Sequence, residues 1–304
     1  RTLSVAAFTH LQCIKDPDRG GDGIKPNVML IGPTGCGKTH LVKTLATILG
    51  LPYAIGDATT WTETGYVGSD YDEVLWALYE NAGHDIEFAQ RGIVYIDEVD
   101  KIAGEVVAGA NRDVGGEGVQ RAMLKALEGS VVTMTKRGVH AFSSSQKEID
   151  TTTILFILGG AFDGIEKIIE RRARSRSIGF GPAKSCPTSA DLTKDDLIAY
   201  GMLREFVGRS PVLARINPLT GDELIEILTR PEQGLIAEIN RACEPCGLRF
   251  EFTPAAVRQM AEKALEDGTG ARSLRGVINT LIEPHIFEHS KAKPAGVRVV
   301  EVAA

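Results

Sequence analysis

The 304-residue chain has no apolar run that approaches the roughly 18 residues a membrane span needs. It has no excess of positive charge either: 34 Lys and Arg against 40 Asp and Glu leave a formal net charge of −6. That balance argues against a protein held to nucleic acid mainly through phosphate contacts. Its five cysteines are odd in number and follow no framework spacing, which excludes a disulfide-stapled scaffold and points to a reducing compartment, the cytoplasm. Cys243-x-x-Cys246 has no second pair and no nearby histidine to complete a zinc site, so both read as ordinary thiols. There is no internal repeat and no leader pattern; opening on Arg1, the chain reads as a domain cut from something longer. What remains is an ordinary globular composition, 43% apolar and 24% charged, at a length that suggests about two domains.

Gly32-Pro33-Thr34-Gly35-Cys36-Gly37-Lys38-Thr39 fits G-x-x-x-x-G-K-[ST] in full, and its flanks fit as well. Residues 27–31 form a short apolar run that reads as a buried strand. Leu41, Val42, Leu45, Ile48 and Leu49 then recur at helical spacing until Gly50 and Pro52. Strand, glycine loop and helix together make an anion nest of backbone N–H groups at a helix N-terminus. In such a nest Lys38 would reach the β- and γ-phosphates of a nucleoside triphosphate, and the Thr39 hydroxyl would take a place on Mg2+. Further apolar runs at 53–55, 92–97, 153–158 and 211–216 alternate with helical patterns at 73–81 and around Val119–Leu127, the latter stopped by Gly129. Residues 130–150 read as a polar excursion. The alternation predicts an α/β fold, a parallel sheet covered by helices on both faces, over 1–216.

A mainly helical lid domain is expected over 217–304. Thr220-x-x-Glu223 is a capping box, Thr253-Pro254 opens a second helix, and Ser273 opens a third that Pro284 kinks; 296–302 ends the chain as a strand. At the end of the third strand stand Asp97 and Glu98. Carboxyl ends of parallel strands open on the ligand crevice. Asp97 is therefore placed to hold the hydrated Mg2+, and Glu98 to polarise a water for attack on the γ-phosphate.

The glycine loop, Ile93–Ile102 (IVYIDEVDKI) and Arg112–Gln120 (RDVGGEGVQ) together resemble the AAA+ ring ATPases, more narrowly the ClpX-type protein unfoldases. The likeness runs from Leu3 to the terminal strand. The resemblance implies a homo-oligomer, a hexameric ring, that uses ATP and Mg2+ to thread unfolded or tagged proteins into a ClpP-type peptidase, with no nucleic acid and no membrane as partner. Glu205–Arg209 matches the finger segment, so Arg209 would reach the γ-phosphate of a neighbouring subunit. Gly270-Ala271-Arg272 matches the second sensor and assigns Arg272 to the nucleotide. Gly65-Tyr66-Val67-Gly68 matches the pore loop, with Tyr66 and Val67 gripping substrate. Ile178-Gly179-Phe180 matches the tripeptide that docks on the peptidase.

The chain also departs from that pattern. Cys36 replaces a serine, Arg204 a proline, and Lys136–His140 lacks the contiguous Arg-Lys-His of the second pore loop. The family's amino-terminal zinc-binding domain does not match any segment here. Arg171, Arg172, Arg174 and Arg176 read as a solvated or inter-subunit face. Rival readings are an HslU-type unfoldase, a nucleic-acid-handling AAA+ protein such as a clamp or helicase loader, and a nucleotide-dependent scaffold or chaperone without a peptidase partner.

Overall fold

The computed structural model describes residues 1–15, 25–61, 70–104, 114–137, 144–176, 191–231, 234–292 and 298–303. Tyr66, Val67, Ile178, Gly179 and Phe180 lie outside the described residues. Two compact units are present: Arg1–Pro33 with Lys38–Ile216, and Asn217–Ala304 with Thr34–Gly37.

The first unit begins with α1 (Thr2–Lys15), β1 (Val28–Ile31), α2 (Lys38–Leu49) and β2 (Tyr53–Asp57). It continues through α3 (Asp70–Asn81), α4 (Ile86–Ala89), β3 (Ile93–Asp97) and α5 (Val114–Glu128). Then come β4 (Val131–Arg137), β5 (Ser144–Asp150), β6 (Leu155–Gly160), α6 (Ile165–Arg176), α7 (Lys194–Tyr200), α8 (Arg204–Gly208) and β7 (Val212–Arg215). Five strands pair in parallel in the order β2-β3-β6-β1-β7.

Every residue of β1 and β6 is buried, which is why these strands read as unbroken apolar runs instead of alternating ones. Val28 and Leu30 pack on one face with Leu3, Val42, Tyr95 and Ile157. Met29 and Ile31 pack on the other with Leu75, Leu78, Met123 and Phe156. Gly159 is fixed by close approach: a Cβ there would lie 2.1 Å from the hydroxyl of Tyr95, itself fully buried.

Residues 130–150 are not a polar excursion. Over the described residues β4 and β5 pair antiparallel, with Val131 opposite Asp150 and Arg137 opposite Ser144. Among the side chains described along this pair, Met134 and Ile149 are the fully buried ones, and the Lys147 ammonium lies over the Tyr79 ring of α3 at 5.1 Å. So few buried positions leave too weak an alternation to stand out in a sequence.

The second unit holds α9 (Gly221–Thr229), α10 (Leu235–Cys243), β8 (Leu248–Phe252), α11 (Pro254–Glu266), α12 (Ala271–Ala292) and β9 (Arg298–Val302). Thr220 and Glu223 form the expected reciprocal cap, and Thr253 accepts from the Ala256 N–H at 3.2 Å. One expectation needs correcting. The third helix starts at Ala271, because the Ser273 hydroxyl donates back to the Gly270 carbonyl at 2.9 Å and does not cap; Pro284 lies inside it. The mainly helical unit also contains β8, whose Leu248, Phe250 and Phe252 alternate with Arg249 and Glu251 and which pairs in parallel with β9. Leu224, Phe250, Met260, Leu274, Ile278 and Val300 build this unit's own core.

Candidate nucleotide site

β1 leads straight into the glycine loop, and the Gly32 N–H extends the ladder by donating to the Gly160 carbonyl at 3.2 Å. Gly37 has φ +89 with nothing within 4 Å of an added Cβ, so glycine is required there by backbone conformation and not by crowding. Lys38 is the first residue of α2 and is 8% exposed. Its ammonium folds back onto the loop, donating to the Gly32 carbonyl at 2.6 Å and the Pro33 carbonyl at 3.1 Å.

One residue on, the Thr39 hydroxyl donates to Asp97 Oδ2 at 3.1 Å and so joins the loop to the end of β3. Asp97 Oδ1 accepts from the Glu98 N–H at 3.0 Å. Glu98 is exposed and adopts a left-handed backbone, φ +58 and ψ +31. A non-glycine residue held there stores about 1–3 kcal/mol of strain, a cost concentrated at functional positions. Behind it, the buried Asp100 accepts from the Ala161 N–H at 3.0 Å and ties the end of β3 to the end of β6. A hydroxyl and a carboxylate side by side are hard oxygen donors, the set that suits a small divalent cation.

The structure thus brings together Lys38, Thr39, Asp97 and Glu98. Arg209 has other partners: its guanidinium meets Glu128 Oε1 at 2.7 Å, and its carbonyl accepts from Asn27 Nδ2 at 2.9 Å. Arg272 lies in the second unit, exposed in the first turn of α12. Arg172, grouped from sequence with a solvated or inter-subunit face, is used within the chain, pairing with Asp196 at 3.2 Å and with the Thr193 hydroxyl. Cys243 and Cys246 are free thiols, and burial pushes the Cys243 thiol up from its ordinary value. Among the described residues no group of three or more metal-ligating side chains occurs.

Sequence reasoning missed a polar node beside β1. Asn27, fully buried, donates to the Leu127 carbonyl at 3.0 Å and accepts from the Phe156 N–H at 3.3 Å. The Lys25 ammonium donates to the carbonyls of Thr151 at 2.7 Å and Ala126 at 3.2 Å and sits 4.5 Å over the Phe156 ring. Burial lowers Lys25 to about 7, against the pull of the Asp150 carboxylate. His10 on α1, bonded to the Arg91 carbonyl at 3.0 Å, falls to about 4, chiefly by burial. Polar residues leading into an apolar strand were the one visible trace of this node.

A parallel β2-β3-β6-β1-β7 sheet, with a G-x-x-x-x-G-K-T loop after β1 and an acid pair closing β3, defines a P-loop ATPase of the AAA+ class. Residues 25–213 match the AAA domain of the Cdc48 subfamily, and residues 219–295 match the C-terminal D2-small domain of ClpB protein. The ATP-dependent Clp protease ATP-binding subunit ClpX of Treponema denticola is 40% identical over 96% of this chain and 73% of its own length. ClpX 2 of Wolinella succinogenes is 43% identical over 94% of this chain and 72% of its own. ClpX of Azotobacter vinelandii is 41% identical over 94% and 69%. The chain belongs to the ClpX family.

Proposed function

We propose that the chain is an ATP-driven protein unfoldase and translocase, the ATP-binding subunit that feeds substrates to a ClpP-type peptidase. The observation that carries this reading is the Thr39–Asp97 bond, which joins the glycine loop to the acid pair at the end of β3 in the arrangement that hydrolysis requires. Lys38 exchanges its two loop carbonyls for the β- and γ-phosphates. Thr39 and Asp97 would hold Mg2+, which would neutralise charge on the triphosphate. Glu98, exposed beside them, accepts a proton from the attacking water.

The site is completed from outside the subunit by Arg209, whose guanidinium stabilises transition-state charge on a neighbour's γ-phosphate in a hexameric ring. Arg272 contributes from the helical domain, which we begin at Asn217. Tyr66 and Val67 grip substrate in the channel, and Ile178, Gly179 and Phe180 dock the peptidase. We place the protein in the cytoplasm, where its thiols stay reduced. Among the described residues no helix is long and apolar enough to cross a membrane.

The test is ATP turnover and degradation of a tagged stable protein, each with and without a ClpP-type peptidase. Degradation that needs both ATP and the peptidase is expected, with unfolded protein stimulating turnover. Turnover stimulated by DNA and indifferent to unfolded protein would overturn the reading.

A further inference from the structure

The ion pair between Arg209 and Glu128 is out of place by local rules. Glu128 is the last residue of α5, where the helix carbonyls leave a partial negative charge that disfavours a carboxylate. Its compensation is the Arg209 guanidinium, 2.7 Å away through a single Nη2–Oε1 contact. A guanidinium has five N–H donors, so this contact leaves Nη1 and Nε free for a second anion. The pair restrains the arginine without consuming it.

The backbones behind the two side chains are fixed as well. One buried amide, Asn27 Nδ2, bonds both the Arg209 carbonyl at 2.9 Å and the carbonyl of Leu127, the residue before Glu128, at 3.0 Å. The same turn is held from the other side by Thr151, whose hydroxyl donates to the Ala126 carbonyl at 3.1 Å and accepts from the Ser130 N–H at 3.0 Å. With both roots anchored, the carboxylate selects among the guanidinium's rotamers from a fixed point, which reduces the freedom the arginine loses on engaging a phosphate.

We propose that Glu128 is the positioning residue for Arg209, holding its guanidinium ready for the triphosphate of a neighbouring subunit. The proposal rests on the reading of Arg209 as the residue that completes that neighbour's site. In this role Glu128 acts through the arginine. The acceptor at this position has to be long enough to reach Nη2 and has to leave the rest of the guanidinium open. Glutamate does both.

Steady-state ATP kinetics of the assembled full chain test this with Glu128→Ala, Glu128→Gln, Arg209→Ala and the Glu128→Ala/Arg209→Ala double variant, using enough protein to read the residual rates. Glu128→Ala should lower kcat roughly two- to fivefold, the range an exposed ion pair supports, with KM little changed. Glu128→Gln keeps an oxygen acceptor at the same reach and should recover part of the loss. In the Arg209→Ala background, Glu128→Ala should change nothing further. An unchanged kcat for Glu128→Ala beside a large loss for Arg209→Ala would overturn the proposal alone. Equal losses from Glu128→Ala in both backgrounds would also overturn it, showing a merely structural effect. An unimpaired Arg209→Ala would remove the finger reading and the proposal with it.

Discussion

Glu98 is held in a left-handed backbone at the carboxyl end of β3, next to a carboxylate already engaged by Thr39. Its own carboxylate is the one of the pair left exposed for a water. Glu98→Gln keeps the shape and removes the proposed proton acceptor, so the variant should bind ATP as the parent does and hydrolyse it roughly 10²- to 10⁴-fold more slowly. Nucleotide binding by fluorescence together with phosphate release checks this; near-parental turnover would remove Glu98 as the base. Lys38, Thr39, Asp97 and Glu98 were legible in the sequence because one continuous motif and one strand end carry them. Lys25, Asn27 and Glu128 were not. Each is a single polar residue whose meaning depends on what packs against it, and Asn27 and Arg209 are 182 positions apart in the chain.

At the scale of elements, legibility followed burial. Strands buried on both faces announced themselves as apolar runs, and the helices of the second unit announced themselves through Thr220, Glu223, Thr253 and Pro254. The β4–β5 pair and β8 stayed hidden, the first because few of its described side chains are buried, the second because its alternation spans only five residues.

The joint where α5, the β4–β5 pair and β1 meet carries a pH signature. Lys25 has a folded value of about 7 against an ordinary 10.5, so between those limits the unfolded chain binds a proton that the folded chain lacks. Stability from this group therefore rises with pH across that window, by at most about 1.4 kcal/mol per unit, and is flat below it. The Asp150 carboxylate opposes the shift, and the ammonium in turn helps depress His10. Urea midpoints measured from pH 6 to 9.5 should climb more steeply in the parent than in Lys25→Met. Parallel profiles would mean that the ammonium is fully solvated.

For the whole molecule, the outstanding question is where catalysis is completed. If Arg209 serves a neighbour, Arg209→Ala assemblies should lose most ATP turnover, and mixing them with Lys38→Ala subunits should restore part of it. In such mixtures some intact glycine loops face intact arginines. Mixed assemblies verified by mass spectrometry that recover nothing would place the arginine's action within its own chain.

The pairing of β8 with β9 bears on how the protein is made. Synthesis proceeds from the amino terminus, and the first unit is complete at Ile216. The second unit has no such head start. Phe250 and Phe252 emerge early, yet the strand that covers them, and the Val300 and Val302 side chains that finish their core, come only after the whole of α12. A ribosome stalled or a protease cut anywhere between Phe252 and Arg298 would leave β8 as an unpaired aromatic edge, open to aggregation and to the cell's own quality-control proteases.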